Sequence, residues 1–134
     1  MKKPRYILDS YALLAYFQGE HGGEQVRKHL KDASSGQAYV WISVINLGEV
    51  YYILARRRGE ASAKSIVEDM ALLPIELLAA TLERVLSAAS IKARYSVSYA
   101  DAFVIAGAEE LSASILTGDP EFKEIESWID VLWL

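Results

Sequence analysis

The chain has 134 residues, with 14 Lys+Arg against 18 Asp+Glu, two His and no Cys. Its 52% hydrophobic content and formal net charge of only -4 exclude intrinsic disorder, and the length suits one domain, expected over residues 1–134. The missing Cys excludes a disulfide framework, a zinc ribbon, an iron–sulfur cluster and a Cys nucleophile, and the excess of acid argues against a nonspecific electrostatic nucleic-acid binder.

In chain order, the basic start Lys2-Lys3-Pro4-Arg5 leads into Tyr6-Ile7-Leu8, an apolar run far too short for a signal peptide. This run reads as a buried strand ending at Asp9, followed by a helix from Ser10 to Phe17. His21 and His29, the only histidines, sit in a polar stretch and are expected at the surface; neither a His-rich zinc site nor a Ser-His-Asp triad is expected from them. A polar amphipathic helix covers Glu24 to Leu30. Tyr39-Val40-Trp41-Ile42 reads as the second strand, and Ser43 to Arg58 as a long helix ended by Gly59. Further helices are expected over Glu60–Leu72 and Thr81–Tyr95, with a weaker third strand at Leu72-Leu73-Pro74-Ile75. Ser98 to Glu110 is an apolar, Ala-rich helix, Ser114-Ile115-Leu116 a fourth strand, and Val131-Leu132-Trp133-Leu134 a fifth. Short runs that are apolar on both faces suit parallel strands covered on both sides. The expected fold class is therefore α/β, a three-layer α/β/α sandwich with a mostly parallel, roughly five-stranded sheet. The longest apolar stretch, Met70 to Leu82, is broken by Pro74 and Glu76 and cannot span a bilayer, so a cytoplasmic protein is expected.

In such sheets ligands bind beyond the carboxyl ends of the strands. Asp9 directly follows the first strand, and Asp119 follows the fourth by the turn Thr117-Gly118. Glu49 lies on the helix that leaves the second strand, and Asp101 in the first turn of the helix before the fourth. Each also has a structural alternative. Asp9 and Asp119 suit helix N-caps, the latter with Pro120 behind it. Ser98 to Asp101 resembles a capping box, and Glu49 could face solvent beside Asn46. Converging carboxylates would repel and partly stay protonated without a cation. Mg²⁺ or Mn²⁺ would make the arrangement sensible, because hard ions take oxygen ligands. The chemistry implied is metal-assisted hydrolysis of a phosphodiester, which needs neither His nor Cys.

Four segments then resemble the PIN-domain ribonucleases, and within them the VapC-type toxins of toxin–antitoxin pairs. They are Tyr6-Ile7-Leu8-Asp9-Ser10-Tyr11-Ala12-Leu13-Leu14, Ser43-Val44-Ile45-Asn46-Leu47-Gly48-Glu49-Val50, Ser98-Tyr99-Ala100-Asp101-Ala102 and Leu116-Thr117-Gly118-Asp119-Pro120-Glu121-Phe122. The resemblance implies a metal site for Mg²⁺ or Mn²⁺ made of Asp9, Glu49, Asp101 and Asp119, supported by the hydroxyls of Ser10 and Thr117. It implies an endoribonuclease acting on RNA, a cognate antitoxin as partner, and a homodimer. Tyr11 departs from the pattern, which often places a small polar residue there. Arg56, Arg57 and Arg58 could contact RNA or antitoxin, or serve as favourable charge at a helix C-terminus. The competing class is a non-enzymatic α/β interaction module whose acids are caps and surface charges; a further variant is an RNA-processing nuclease of the same fold outside toxin–antitoxin pairs. Receiver and haloacid-dehalogenase-like domains are disfavoured, because Asp9 stands alone and Asp9-Ser10-Tyr11 lacks a second acid. No phosphate-binding glycine loop is present.

Overall fold

The computed structural model describes residues 2–134. The chain runs β1 (Arg5–Leu8), α1 (Ser10–Gln18), α2 (Gly23–Ser34), β2 (Tyr39–Ser43), α3 (Val44–Arg58), α4 (Glu60–Met70), β3 (Glu76–Leu78), α5 (Leu82–Arg94), α6 (Tyr99–Leu111), β4 (Ser114–Thr117), a 3₁₀ turn (Pro120–Ile125) and β5 (Val131–Trp133). The five strands form one sheet in the order β3-β2-β1-β4-β5, and every pairing is parallel. The expected α/β class, with helices on both faces, is what the structure has.

Strand alternation explains the two faces. Ile7 and Ile115 point into one apolar cluster with α5 and α6, through Ala88, Ile91, Ala102 and Ile105. Their neighbours Leu8 and Leu116 point into the other, with α1 to α4, through Leu13, Val26, Val50, Leu54 and Met70. All four strand residues are fully buried, and each contributes roughly 1.5–3 kcal/mol by leaving water. Because β1 and β4 are buried on both faces, their sequence is an unbroken apolar run. Gly107 lets α6 lie directly on the sheet: a Cβ there would stand 2.6 Å from the Ile7 side chain.

Helix starts follow capping chemistry. The Ser43 hydroxyl accepts from the Ile45 amide at 3.2 Å, and the Thr81 hydroxyl from the Arg84 amide at 3.3 Å. α1 stops at Gly19, whose φ of 63° is left-handed.

Two expectations are corrected. The third strand is Glu76–Leu78, not Leu72–Ile75. Leu72 and Leu73 form the turn that closes α4, and Pro74 has no amide to give a ladder. His29 is not a free surface residue; its ring lies 4.3 Å from that of Tyr6, and burial pushes its pKa down. Trp41 is core, whereas Trp128 stands outside it, its ring 5.6 Å from that of Tyr95. Among the described residues no helix is long and apolar enough to cross a membrane.

Candidate active site

The sheet order reverses between β1 and β4, so a crevice opens at their carboxyl ends. Leu8 pairs with Leu116 in register, which sets Asp9 and Thr117 side by side one residue further on. The Thr117 hydroxyl donates to Asp9 Oδ2, and the Ala12 amide donates to Asp9 Oδ1 at 2.8 Å. Both Asp9 oxygens are thus engaged, and the residue is 1% exposed. Thr117 also accepts from the Asp119 amide at 2.9 Å, and Asp119 Oδ1 accepts from the Glu121 amide at 3.0 Å.

Asp101 arrives from α6. Its amide donates to the Ser98 hydroxyl at 3.1 Å, but the return bond that would complete a capping box is not made. Asp101 is 5% exposed, and its Oδ2 has no hydrogen-bond partner. Carboxylate oxygens of Asp9, Asp101 and Asp119 lie within 4.8 Å of one another. Capping accounts for one oxygen each of Asp9 and Asp119, and it leaves Asp101 Oδ2 unpartnered.

Burial pushes the Asp9 carboxyl up to about 7, aided by the charges of Asp119 and Glu49 and opposed by the bonds from Thr117 and Ala12. Burial also pushes Asp101 up to about 8. Glu121 adds to this, its carboxyl being within hydrogen-bonding range, as do the charges of Asp119 and Asp9. Two carboxyls can hydrogen-bond only with a proton between them. Among the described residues the only side-chain ion pair is Arg84–Glu110, remote from these acids. The group therefore needs protons or a metal ion for charge balance. The donor set fits a hard divalent ion. Opposite ligands of one Mg²⁺ stand about 4 Å apart, within the spread of these oxygens, and the buried unpartnered Asp101 oxygen is an unmet ligand atom.

Glu49 is not part of this trio. It sits half-buried on α3, where the Ser10 hydroxyl donates to its Oε1 and the Tyr52 hydroxyl lies 3.5 Å from its Oε2. Ser10 alternatively donates to the Asn46 carbonyl at 3.3 Å. Asn46 was weighed in the sequence only as a polar neighbour of Glu49. It is fully buried and donates from Nδ2 to the Ala100 carbonyl at 3.3 Å and to Ser10 at 3.4 Å. It thus ties α1, α3 and α6 together beside Asp101. Asn46 and Glu49 are three apart and share one helix face, but nothing in that spacing marks the amide as a buried tie between helices. Glu121, another residue missed, is visible only as the acid two after Asp119. The three arginines separate. Arg56 lies 5.1 Å from the Tyr52 ring centre, Arg57 lines a cavity with Tyr11, and all three are exposed.

The PIN domain family model matches residues 6–127. No curated protein sequence matches the chain. Several solved structures share the fold. VapBC2 from Rickettsia felis, bound to a promoter DNA fragment, aligns with a TM-score of 0.72 at 16% identity, over 96% of this chain and 97% of that one. DNA-bound VapBC from Salmonella typhimurium gives 0.73 at 17% identity, over 96% and 97%. Mycobacterium tuberculosis VapC20, a Sarcin-Ricin loop cleaving toxin, gives 0.72 at 17%, over 92% and 95%. At these identities the likeness establishes the fold.

Proposed function

This chain belongs to the PIN-domain family, and on that premise we propose that it is a divalent-metal-dependent endoribonuclease, the toxin of a type II toxin–antitoxin pair. The observation that carries this is the convergence of buried Asp9 and Asp101 with half-buried Asp119, one ligand oxygen being left unpartnered. A non-enzymatic module would have no use for Asp9 and Asp101 held out of water at the expense of their own ionisation, beside a third carboxylate.

In this reading Asp9, Asp101 and Asp119 hold Mg²⁺ or Mn²⁺, and Glu49 is the fourth carboxylate. The ion, when bound, supplies Lewis-acid activation of water and neutralises charge on the leaving oxygen. The chain's own residues do the positioning. Thr117 fixes the Asp9 carboxylate toward the crevice and also holds the Asp119 amide, so one hydroxyl sets two acids. Ser10 fixes Glu49 at the rim, where its other oxygen can accept a proton from the attacking water. Asn46 keeps the helix carrying Asp101 against the helices carrying Ser10 and Glu49.

The substrate is RNA, the inhibitor a cognate antitoxin, and the setting the cytoplasm. The VapBC complexes among the structural neighbours support the partner assignment. Exposed Leu82 and Leu86 on α5 support a homodimer.

The deciding experiment is Mn²⁺-dependent cleavage of single-stranded RNA by the purified chain and by Asp101→Asn. The variant should lose on the order of a hundredfold or more of the rate and melt no lower than wild type. Full cleavage by Asp101→Asn would remove that residue from the chemistry. Growth arrest on expression should disappear in Asp9→Asn if the toxin role holds.

A further inference from the structure

Tyr11, the residue that departs from the family pattern, connects the acidic site to a neighbouring cavity. Its ring lies against the turn between Thr117 and Asp119. A Cβ added at Gly118 would collide with the ring carbons and the hydroxyl of Tyr11. Tyr11 is nevertheless 38% exposed. It lines a cavity of about 190 Å³ completed by Leu14, Ala15, Glu20, His21 and Arg57.

The walls of this cavity are chemically unlike each other. Leu14 and Ala15 form an apolar floor and are themselves buried in α1. Tyr11 offers an aromatic surface. Arg57 offers donors and Glu20 acceptors, yet these two opposite charges do not pair; among the described residues the only ion pair lies elsewhere. Both line the same cavity. The volume is below the roughly 300–1,000 Å³ of a drug-sized pocket, so it admits one ring system and no folded element. Glu20 disfavours a phosphate as the occupant, and the aromatic wall favours a flat base.

We infer that this cavity is a subsite for one unpaired nucleobase of the RNA, next to the phosphate cleaved at the acidic site, and that guanine fits it best; the inference rests on the ribonuclease reading above. Guanine alone carries N1–H and N2–H₂ donors on one edge, suited to a carboxylate, and O6 and N7 acceptors on another, suited to a guanidinium. Glu20 accepts from the first edge, Arg57 donates to the second, and Tyr11 stacks on the ring. Because Tyr11 also rests on Gly118, a base held there fixes the adjoining phosphate relative to Asp119. Tyr11 and Arg57 are then specificity residues.

Two measurements test this separately from the parent reading. In the first, GMP, AMP, CMP and UMP are each titrated into the isotope-labelled full chain without divalent metal, following the Tyr11 ring and Arg57 side-chain NMR signals. GMP should shift both saturably and bind about tenfold more tightly than the others. Arg57→Ala and Glu20→Gln, both exposed and away from Gly118, should lose that preference. No shift at Tyr11 or Arg57, or equal shifts with all four nucleotides, overturns the inference. In the second, four short RNAs differing only in whether and where they carry a guanine are cleaved with Mn²⁺. Replacing the guanine should raise KM about tenfold for wild type and leave KM unchanged for Glu20→Gln. A KM indifferent to guanine in wild type also overturns it. If GMP binds at Tyr11 with the stated preference but no RNA is cut, the cavity stands and the ribonuclease reading falls. If RNA is cut but GMP is ignored, the ribonuclease reading stands and the cavity falls.

Discussion

Leu8 and Asp9 are consecutive residues of nearly equal burial, 0% and 1% exposed, and Leu116 and Thr117 repeat the pattern on the neighbouring strand. One step along each strand takes the chain from the apolar core to the acidic crevice. Below the step, burial drives folding; above it, the same exclusion of water works against folding, because it desolvates carboxylates. Depth alone thus does not define a core. The crevice is held in place by the strands beneath it, and that support is what keeps charged groups out of water.

The contrast can be tested from both sides. The largest expected effect is below the step: Leu8→Ala should destabilise by about 2–5 kcal/mol, read as a fall in the urea midpoint. Above the step the sign should invert. Asp9 and Asp101 have raised carboxyl pKa values in the folded state, so their protonated forms favour the fold at low pH. That contribution is complete below the unfolded value near 3.8 and is lost as pH rises through about 7 and about 8. In EDTA the wild type should therefore melt lower at pH 8.5 than at pH 5.5, by an amount on the order of 1–3 kcal/mol. Asp9→Asn should be the more stable protein at pH 8.5 and gain little at pH 5.5. A wild type that melts higher at pH 8.5 in EDTA would contradict the assignment. Metal competes with those protons. Mn²⁺ at a hundredfold over its Kd should stabilise by about 2.7 kcal/mol, more at pH 8 than at pH 5.5, and not in Asp101→Asn. The smallest effect lies away from both regions. Removing the exposed Arg84–Glu110 pair by Arg84→Ala should change stability by less than about 1 kcal/mol.

Legibility in the sequence follows the same line. β1 and β4 were readable because strands buried on two faces leave an unbroken apolar run. β3 was misplaced because an edge strand needs only partial cover. Glu76 and Leu77 are exposed there, while the more apolar Leu73 and Ile75 pack against the core from a turn. Asp9 and Asp119 were legible because strand ends punctuate the sequence. Asn46 was not, since a fully buried amide bridging three helices has no local signature; its partners Ser10 and Ala100 lie 36 and 54 positions away. The link between Tyr11 and Gly118 was hidden for the same reason. A glycine two residues past a strand reads as a turn, not as a seat for an aromatic ring.

The bond from Thr117 to Asp9 joins residues 108 positions apart. Synthesis proceeds from the amino end, and domains fold as units. A ribosome that has made β1 through α6 holds Asp9, Glu49 and Asp101 but has yet to add the strand that supplies Thr117 and Asp119. A nascent chain that stops short of β4 therefore lacks half of the acidic crevice, and the carboxylates meet only once β4 and the turn after it have been made.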